Sequence, residues 1–186
     1  MRKNFGAQPW VYPQPVLIIA SYGEDGTPDA MNAAWGGVAN SSRIAMYLNG
    51  GHKTVKNILK RGAFTVSMGD AEHAAACDYV GIVSGNQVPD KVARAGFHVT
   101  KSEHVDAPMI DELPLTLECR LVSYDEETKL LLGEIVNVSV DERVLDENGK
   151  LAVEKLHVIT FDYVNHGYYV LGEKVGSAFE DGKKFK

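Results

Sequence analysis

Cysteine is scarce in this 186-residue chain. Only Cys77 and Cys119 occur, far apart, with no C-x-x-C pair and no His/Cys spacing of the kind zinc requires. A disulfide-dense scaffold and a zinc module are thereby excluded. Free thiols in a reducing cytoplasm are expected, with one disulfide as the alternative. Long apolar runs are missing too. Val16 to Ala20 is among the longest, and a membrane helix needs roughly 20 such residues. The basic start Met1-Arg2-Lys3 has no apolar stretch behind it, so a soluble, cytoplasmic protein without a signal peptide is expected. A basic surplus is also lacking. Lys plus Arg number 19 against 25 Asp plus Glu, a net charge of −6. That argues against bulk nucleic-acid binding but leaves room for a local cationic loop. Neither G-x-G-x-x-G nor a Walker A run is present, and Gly81-Ile82-Val83-Ser84-Gly85 sets its serine one place late for a nucleophile elbow. The histidines, at 52, 73, 98, 104, 157 and 166, show no H-x-x-x-H spacing. No metal ligand set and no catalytic acid, base or nucleophile is expected.

What is present reads as one globular domain. Hydrophobic residues make up 45% and charged residues 24%, a composition able to build a single core. Val16 to Ser21 is short, β-branched and bounded by turn residues, which predicts a buried strand. Glu24-Asp25-Gly26-Thr27 predicts a hairpin turn, because Asp-Gly supplies the positive φ that tight hairpins need. Asp29 to Trp35 returns as a strand or strand-like loop, and Ile44 to Leu48 is the next strand. The period then changes. Val55, Ile58 and Leu59 fall at helical spacing, with Thr54 as the expected N-cap and Gly62 as the stop. Ala63 to Met68 is a strand, Ala71 to Tyr79 an Ala-rich helix, and Pro89 to Gly96 a short helix. Leu115 to Val122, Leu130 to Val140, Leu151 to Phe161 and Tyr168 to Leu171 predict strands, with a hairpin turn at Asp146-Glu147-Asn148-Gly149. Six to eight strands and two or three short helices result. Because helices do not alternate with strands, a mainly β fold is expected: an antiparallel barrel or sandwich with inserted helices. The polar, Gly-rich stretch 172–186 is expected to be a C-terminal arm that docks on another surface.

Three stretches could carry chemistry. In Asn49-Gly50-Gly51-His52-Lys53-Thr54 a strand ends in glycines and a helix begins. Glycines let a backbone approach a ligand, and the first helical N–H groups point outward with a partial positive charge. His52, Lys53 and Thr54 add side-chain donors, and Lys53, Lys56, Lys60 and Arg61 are the only charges between 52 and 62. This is a candidate anion site. It is equally an ordinary corner with a solvated basic face. In Ala30-Met31-Asn32-Ala33-Ala34-Trp35, small residues beside an amide and an indole suit a flat ligand, or simply a packed strand. Asp78 to Asn86 could bring Tyr79 and Ser84 to a ligand, or serve only as a helix end and loop.

Taken together in their order and spacing, these stretches resemble the flavin reductase family of FMN-binding split barrels, and its flavoredoxin-like members in particular. The residues that carry the likeness are Asp29 to Trp35, His52-Lys53-Thr54 with Asn57-Ile58, Gly62 to Ser67, Ser84-Gly85 and Asp90-Lys91. The resemblance implies an antiparallel split β-barrel, a homodimer, and one FMN per subunit near the dimer interface. It implies that Asn32, Ala33, Ala34 and Trp35 line the flavin ring and that Asn49, His52, Lys53 and Thr54 take the phosphate, with Ser84 nearby. It further implies electron transfer from NADH or NADPH through FMN to an acceptor, or carriage of electrons by bound FMN alone. Two departures stand out. Many members have Thr or Ser where Ala33 and Ala34 stand, and a Pro-Pro pair where Ser42-Arg43 stand, so Arg43 could reach the phosphate or face solvent. A third reading, a non-redox barrel for another anion or haem, draws only on His52 and His166.

Overall fold

The computed structural model describes residues 1–186. The strands are β1 (Leu17–Tyr22), β2 (Pro28–Ala33), β3 (Gly36–Asn40), β4 (Arg43–Tyr47), β5 (Ala63–Met68), β6 (Val99–Lys101), β7 (Pro108–Ile110), β8 (Leu115–Tyr124), β9 (Leu130–Val140), β10 (Ile159–Asp162) and β11 (Gly167–Val170). The helices are α1 (Lys53–Arg61), α2 (Ala74–Ile82), α3 (Lys91–Arg94) and α4 (Val153–Leu156). Seven strands form one antiparallel sheet in the order β2-β1-β5-β8-β9-β4-β3, and β6-β7 and β10-β11 are separate hairpins.

That strand order dictates the shape. β2 and β3 lie at opposite edges of the sheet, yet only Ala34 and Trp35 separate them in sequence. Three virtual bonds of 3.8 Å span at most about 11 Å. Flat, seven strands at about 4.8 Å spacing would hold the two edges far beyond that reach. The sheet therefore curls until its edges nearly meet, and the split of the barrel falls at Ala34–Trp35. Curvature is built into the long β8–β9 ladder by register shifts at Glu118/Cys119 and Leu121/Ser123. Gly133 contributes as well. A Cβ there would stand 2.4 Å from Cζ of Phe64, a fully buried ring that rests on the bare backbone.

Both faces of β1 are covered. Leu17 and Ile19 join Met31, Ile44, Met46, Val55, Ile58 and Phe64 inside the barrel, where α1 packs. Val16, Ile18 and Ala20 face a second layer made by Cys77, Val80, Val92, Phe97 and Ile110. Alternating side chains thus enter two cores, which explains why the strand reads as an unbroken apolar run. Cys77 and Cys119 lie buried in different layers as free thiols, and burial pushes both up to about 12.

The antiparallel split barrel is as expected, and both predicted hairpin turns form, with Gly26 and Gly149 at positive φ. The element count is not as expected. There are eleven strands and four α-helices. β3, β6 and β7 were not foreseen, being Gly-containing or only three residues long. Leu151 to Phe161 is not one strand. It divides into a bridge at Leu151, helix α4, a left-handed His157 and β10, because a short apolar run does not distinguish strand from buried helix. Helix α2 begins at Ala74 rather than Ala71, since the Asp70 carboxylate accepts the His73 N–H and holds the preceding residues in a turn. Residues 172–186 are exposed throughout.

Gly133→Ala should overpack the barrel against Phe64 and lower unfolding free energy by about 1–3 kcal/mol. A urea denaturation midpoint equal to wild type would show that the ring gives way freely.

Candidate functional site

Two adjoining clefts lie at the split. The smaller, about 330 Å³, is lined by Asn49, His52, Lys53, Thr54 and Ser84 among others. The larger, about 530 Å³, is lined by Asn32, Ala33, Ala34, Trp35, Asn49 and His52, with Tyr47, Phe161, His166 and Tyr168. Met31, Asn49, His52, Gly81 and Ile82 border both. The structure therefore gathers all nine sequence-predicted site residues around one continuous hollow. Its size falls in the range of small-molecule sites, roughly 300–1,000 Å³.

The smaller cleft is built on the start of α1. His52, in an extended conformation, occupies the N-cap, and no side chain caps the first turn. The first N–H groups of the helix are thus left for a ligand or water. Thr54 is not the expected cap. It is the second helical residue, and its hydroxyl donates to Asp29 Oδ2 at 2.5 Å, so that proton is not offered to the cleft. At the other end, Gly62 terminates α1 as expected, at φ 69° with its N–H on the Ile58 carbonyl.

Beneath this cleft sits a charge pair that the sequence did not reveal. Lys91 is 3% exposed and so is Asp29. The Lys91 ammonium donates to the carbonyls of Val80 and Val83 at 3.0 and 2.9 Å, satisfying the negative end of α2. It also lies 3.6 Å from Asp29 Oδ1, an oxygen with no hydrogen-bond partner. Burial pushes the Lys91 pKa down and Asp29 opposes that shift. His52 is lowered as well, first by partial desolvation against the cleft walls and then by the Lys91 charge, with Asp29 again opposing. The backbone closes tightly over the pair: a Cβ at Gly85 would stand 2.0 Å from Asp29 Oδ1.

The larger cleft has a floor of Ala33 and Ala34 and an aromatic rim. Ala34 is held by its carbonyl, which accepts from Gln14 Nε2 at 2.6 Å. Asn32 donates its amide to the Cys77 carbonyl at 3.1 Å, tying the floor to α2. α2 approaches so closely that a Cβ at Gly81 would meet Asn32 Cβ at 2.9 Å. Trp35, 47% exposed, meets Tyr163 edge-on at 6.0 Å between ring centroids. Tyr168 donates to Asp78 at 2.8 Å, and burial first, then that bond, pushes its phenol up to about 12.

Sequence reasoning missed this rim. Tyr47 on β4 stands more than a hundred residues from Phe161, His166 and Tyr168, which come from β10, β11 and the turn between them, and of the four only His166 was singled out, for the haem reading. Tyr79 lies outside both clefts and packs against the second core layer. Arg43 is exposed on β4, opposite Glu134 and away from both clefts. The basic face of α1 is also less bare than its local sequence implies. Lys60 pairs with Glu24 at 2.7 Å and Arg61 with Asp106 at 2.9 Å.

Comparison with known proteins follows the same outline. The family model described as flavin reductase like domain matches residues 11–170. Flavoredoxin of Desulfovibrio vulgaris (Miyazaki F) is 37% identical and superposes with a TM-score of 0.93, over 98% of this chain and 100% of that one. A flavoredoxin from Methanosarcina acetivorans is 27% identical with a TM-score of 0.90, over 100% of both chains. An FMN-binding domain of a flavin reductases-like enzyme from Shewanella baltica, 17% identical, shares the fold with a TM-score of 0.75 over 88% of this chain and 89% of that one.

The Lys91 charge adds to the desolvation that lowers the His52 pKa, and Asp29 opposes it. In wild type the His52 imidazole should titrate below its ordinary value of 6.5. Lys91→Gln removes the repelling cation and leaves Asp29, so the midpoint should rise. An NMR pH titration of the ring resonances checks the direction, and an unmoved midpoint would disconnect the two groups.

Proposed function

The chain belongs to the flavin reductase like family, and we propose that it binds FMN at the split of its barrel and passes electrons from NADH or NADPH through that flavin to an acceptor. The observation that carries this reading is the union of two unlike surfaces in one hollow. One is cationic and edged by free helical N–H groups. The other is flat, alanine-floored and ringed by aromatics. A phosphate ester joined to a planar tricycle needs that pair of surfaces.

The residues fit the group. Lys53 supplies a charge to the phosphate, the uncapped first turn of α1 supplies oriented donors, and His52 adds an imidazole whose pKa is lowered first by desolvation and then by the Lys91 charge beneath it. Asp29 lies 3.6 Å from Lys91, so the two buried charges beneath the phosphate cleft are opposite in sign and partly offset each other. Ala33 and Ala34 let a ring lie against backbone, and Asn32, pinned by Cys77, fixes the height of that floor. Trp35 and Tyr168 wall the ring space. Ser84 lines the smaller cleft, and its hydroxyl accepts from the Asn86 N–H at 3.3 Å. The redox chemistry is the cofactor's, since bound flavin accepts and returns electrons, while the protein supplies position and electrostatics. No side chain is assigned as catalytic acid or base. Exposed Trp10, Val11, Val38 and Tyr169 support the expectation of a homodimer. No helix is long and apolar enough to cross a membrane, and two buried free thiols accord with a reducing cytoplasm.

A second reading is favoured by the likeness to flavoredoxins. Here the protein is an electron carrier with firmly held FMN and no NAD(P)H turnover of its own. Steady-state NADH and NADPH oxidation in the presence of free flavin separates the two, because a reductase turns over and a carrier does not.

Lys53→Ala should weaken FMN binding by about 1–3 kcal/mol, the range of one charge-assisted hydrogen bond. Flavin fluorescence titration measures it. An unchanged Kd would move the phosphate to another part of the chain, and absence of any flavin spectrum in wild type incubated with FMN would end the reading.

A further inference from the structure

The linker that closes the barrel lies outside both edge strands. β2 ends at Ala33 and β3 begins at Gly36, so the peptide between Ala34 and Trp35 has no place in a strand ladder. Such a plane turns on two soft torsions, ψ of Ala34 and φ of Trp35. A side chain holds it instead: Gln14 Nε2 donates to the Ala34 carbonyl at 2.6 Å. A carbonyl only accepts, so the amide nitrogen must be the partner. The following peptide is held from across the seam, where the Tyr47 N–H donates to the Trp35 carbonyl at 2.8 Å.

Gln14 is itself fixed from behind. Its N–H donates to Thr160 Oγ1 at 2.8 Å, and its carbonyl accepts from the Phe161 N–H at 2.8 Å and from Thr160 Oγ1 at 2.9 Å. Gln14 thereby joins β10, whose Phe161 stands on the cleft rim, to Ala34 in the cleft floor. Gln14 lines two other hollows but not the larger cleft, whereas Ala34 and Trp35 line that cleft. The Ala34–Trp35 peptide is trans, so its N–H is directed opposite to its C=O. With the C=O turned to Gln14, the Trp35 N–H is turned away from Gln14, and no acceptor in the chain meets it. A backbone donor in that position is left for water or a ligand.

We propose that Gln14 is a positioning residue for the flavin: by holding the Ala34 carbonyl it aims the Trp35 N–H into the larger cleft, as a donor to an acceptor on the ring. The proposal rests on the flavin reading above. Half a turn of the same peptide plane would put the Ala34 carbonyl in the cleft, where it repels the ring's own oxygens. Gln14 thus acts through the linker without touching the ligand.

The test compares wild type with Gln14→Ala and Gln14→Glu in the full chain, with urea midpoints to verify folding. FMN affinity is measured by flavin fluorescence at about pH 8 and about pH 5, because a carboxyl group facing a carbonyl titrates above its usual ~4.3. The Trp35 backbone amide is followed by NMR and hydrogen exchange before and after FMN is added. In wild type this amide should shift and become protected on FMN binding. Gln14→Ala should lose that protection and bind FMN about tenfold more weakly, the scale of one hydrogen bond. Gln14→Glu separates the donor from the size of the side chain. Its carboxylate cannot donate, and its acid form can. Relative to wild type its affinity should be about tenfold low at the higher pH and should recover at the lower. If Gln14→Ala does not fold, this pH comparison decides alone. Wild-type affinity in Gln14→Ala, a Gln14→Glu deficit equal at both pH values, or a Trp35 amide unmoved in FMN-loaded wild type would overturn the proposal while the flavin reading stands. Failure of wild type to bind FMN at all would bring down both.

Discussion

Two residues, Ala34 and Trp35, tie one edge of a seven-stranded sheet to the other, and the rest of the molecule follows from that tether. A short covalent link between edge strands forces the sheet to curl, and curling creates an interior that Leu17, Ile19, Met31 and Phe64 fill. It also leaves a seam. Backbone at a seam is not fully paired with a neighbouring strand, so it can face a ligand. The site thus occupies the one place in the barrel where closure is incomplete.

The electrostatics of the site are layered. The chain as a whole is acidic, at −6, yet the hollow beside α1 is edged by cations and free N–H groups. Under them lies a buried pair that is nearly neutral in sum, Lys91 with Asp29. Its ammonium is already committed to two carbonyls of α2. A buried pair of this kind contributes little net stability but tolerates neither partner alone. It couples the end of α2, the start of α1 through Thr54, and the β2 strand that continues into the alanine floor. The start of α1 and the alanine floor are consequently tied together through this pair. Lys53 borders both the smaller cleft and a polar groove along α1.

Much of this was legible in the chain. The period change at Thr54 located α1, Gly62 ended it, and the Asp-Gly and Asn-Gly pairs placed both hairpins. The nine residues singled out from composition, corner geometry and family likeness all border the hollow. What failed did so for identifiable reasons. β3 carries two glycines and no buried large residue, so nothing local announces a strand; its existence depends on β4 beside it. The stretch 151–161 alternates apolar and polar residues ambiguously, and the left-handed His157 that breaks it has no sequence marker. Thr54 looked like a cap because Thr before an apolar helical run usually is one, yet a carboxylate 25 residues away took its hydroxyl.

The sequence by itself determined the alternation that makes strands, the turns, the helix with its cationic start and the small-residue floor, because each depends on neighbours a few positions apart. Only the tertiary structure decided which of these would meet. Tyr47, Phe161, His166 and Tyr168 became a rim, Asp29 and Lys91 became a pair, and Lys60 and Arg61 lost their apparent freedom to Glu24 and Asp106. Those outcomes depend on the closure of the sheet. The free energy of a buried charge or an aromatic wall is set by what stands across the gap, and linear spacing carries no record of that.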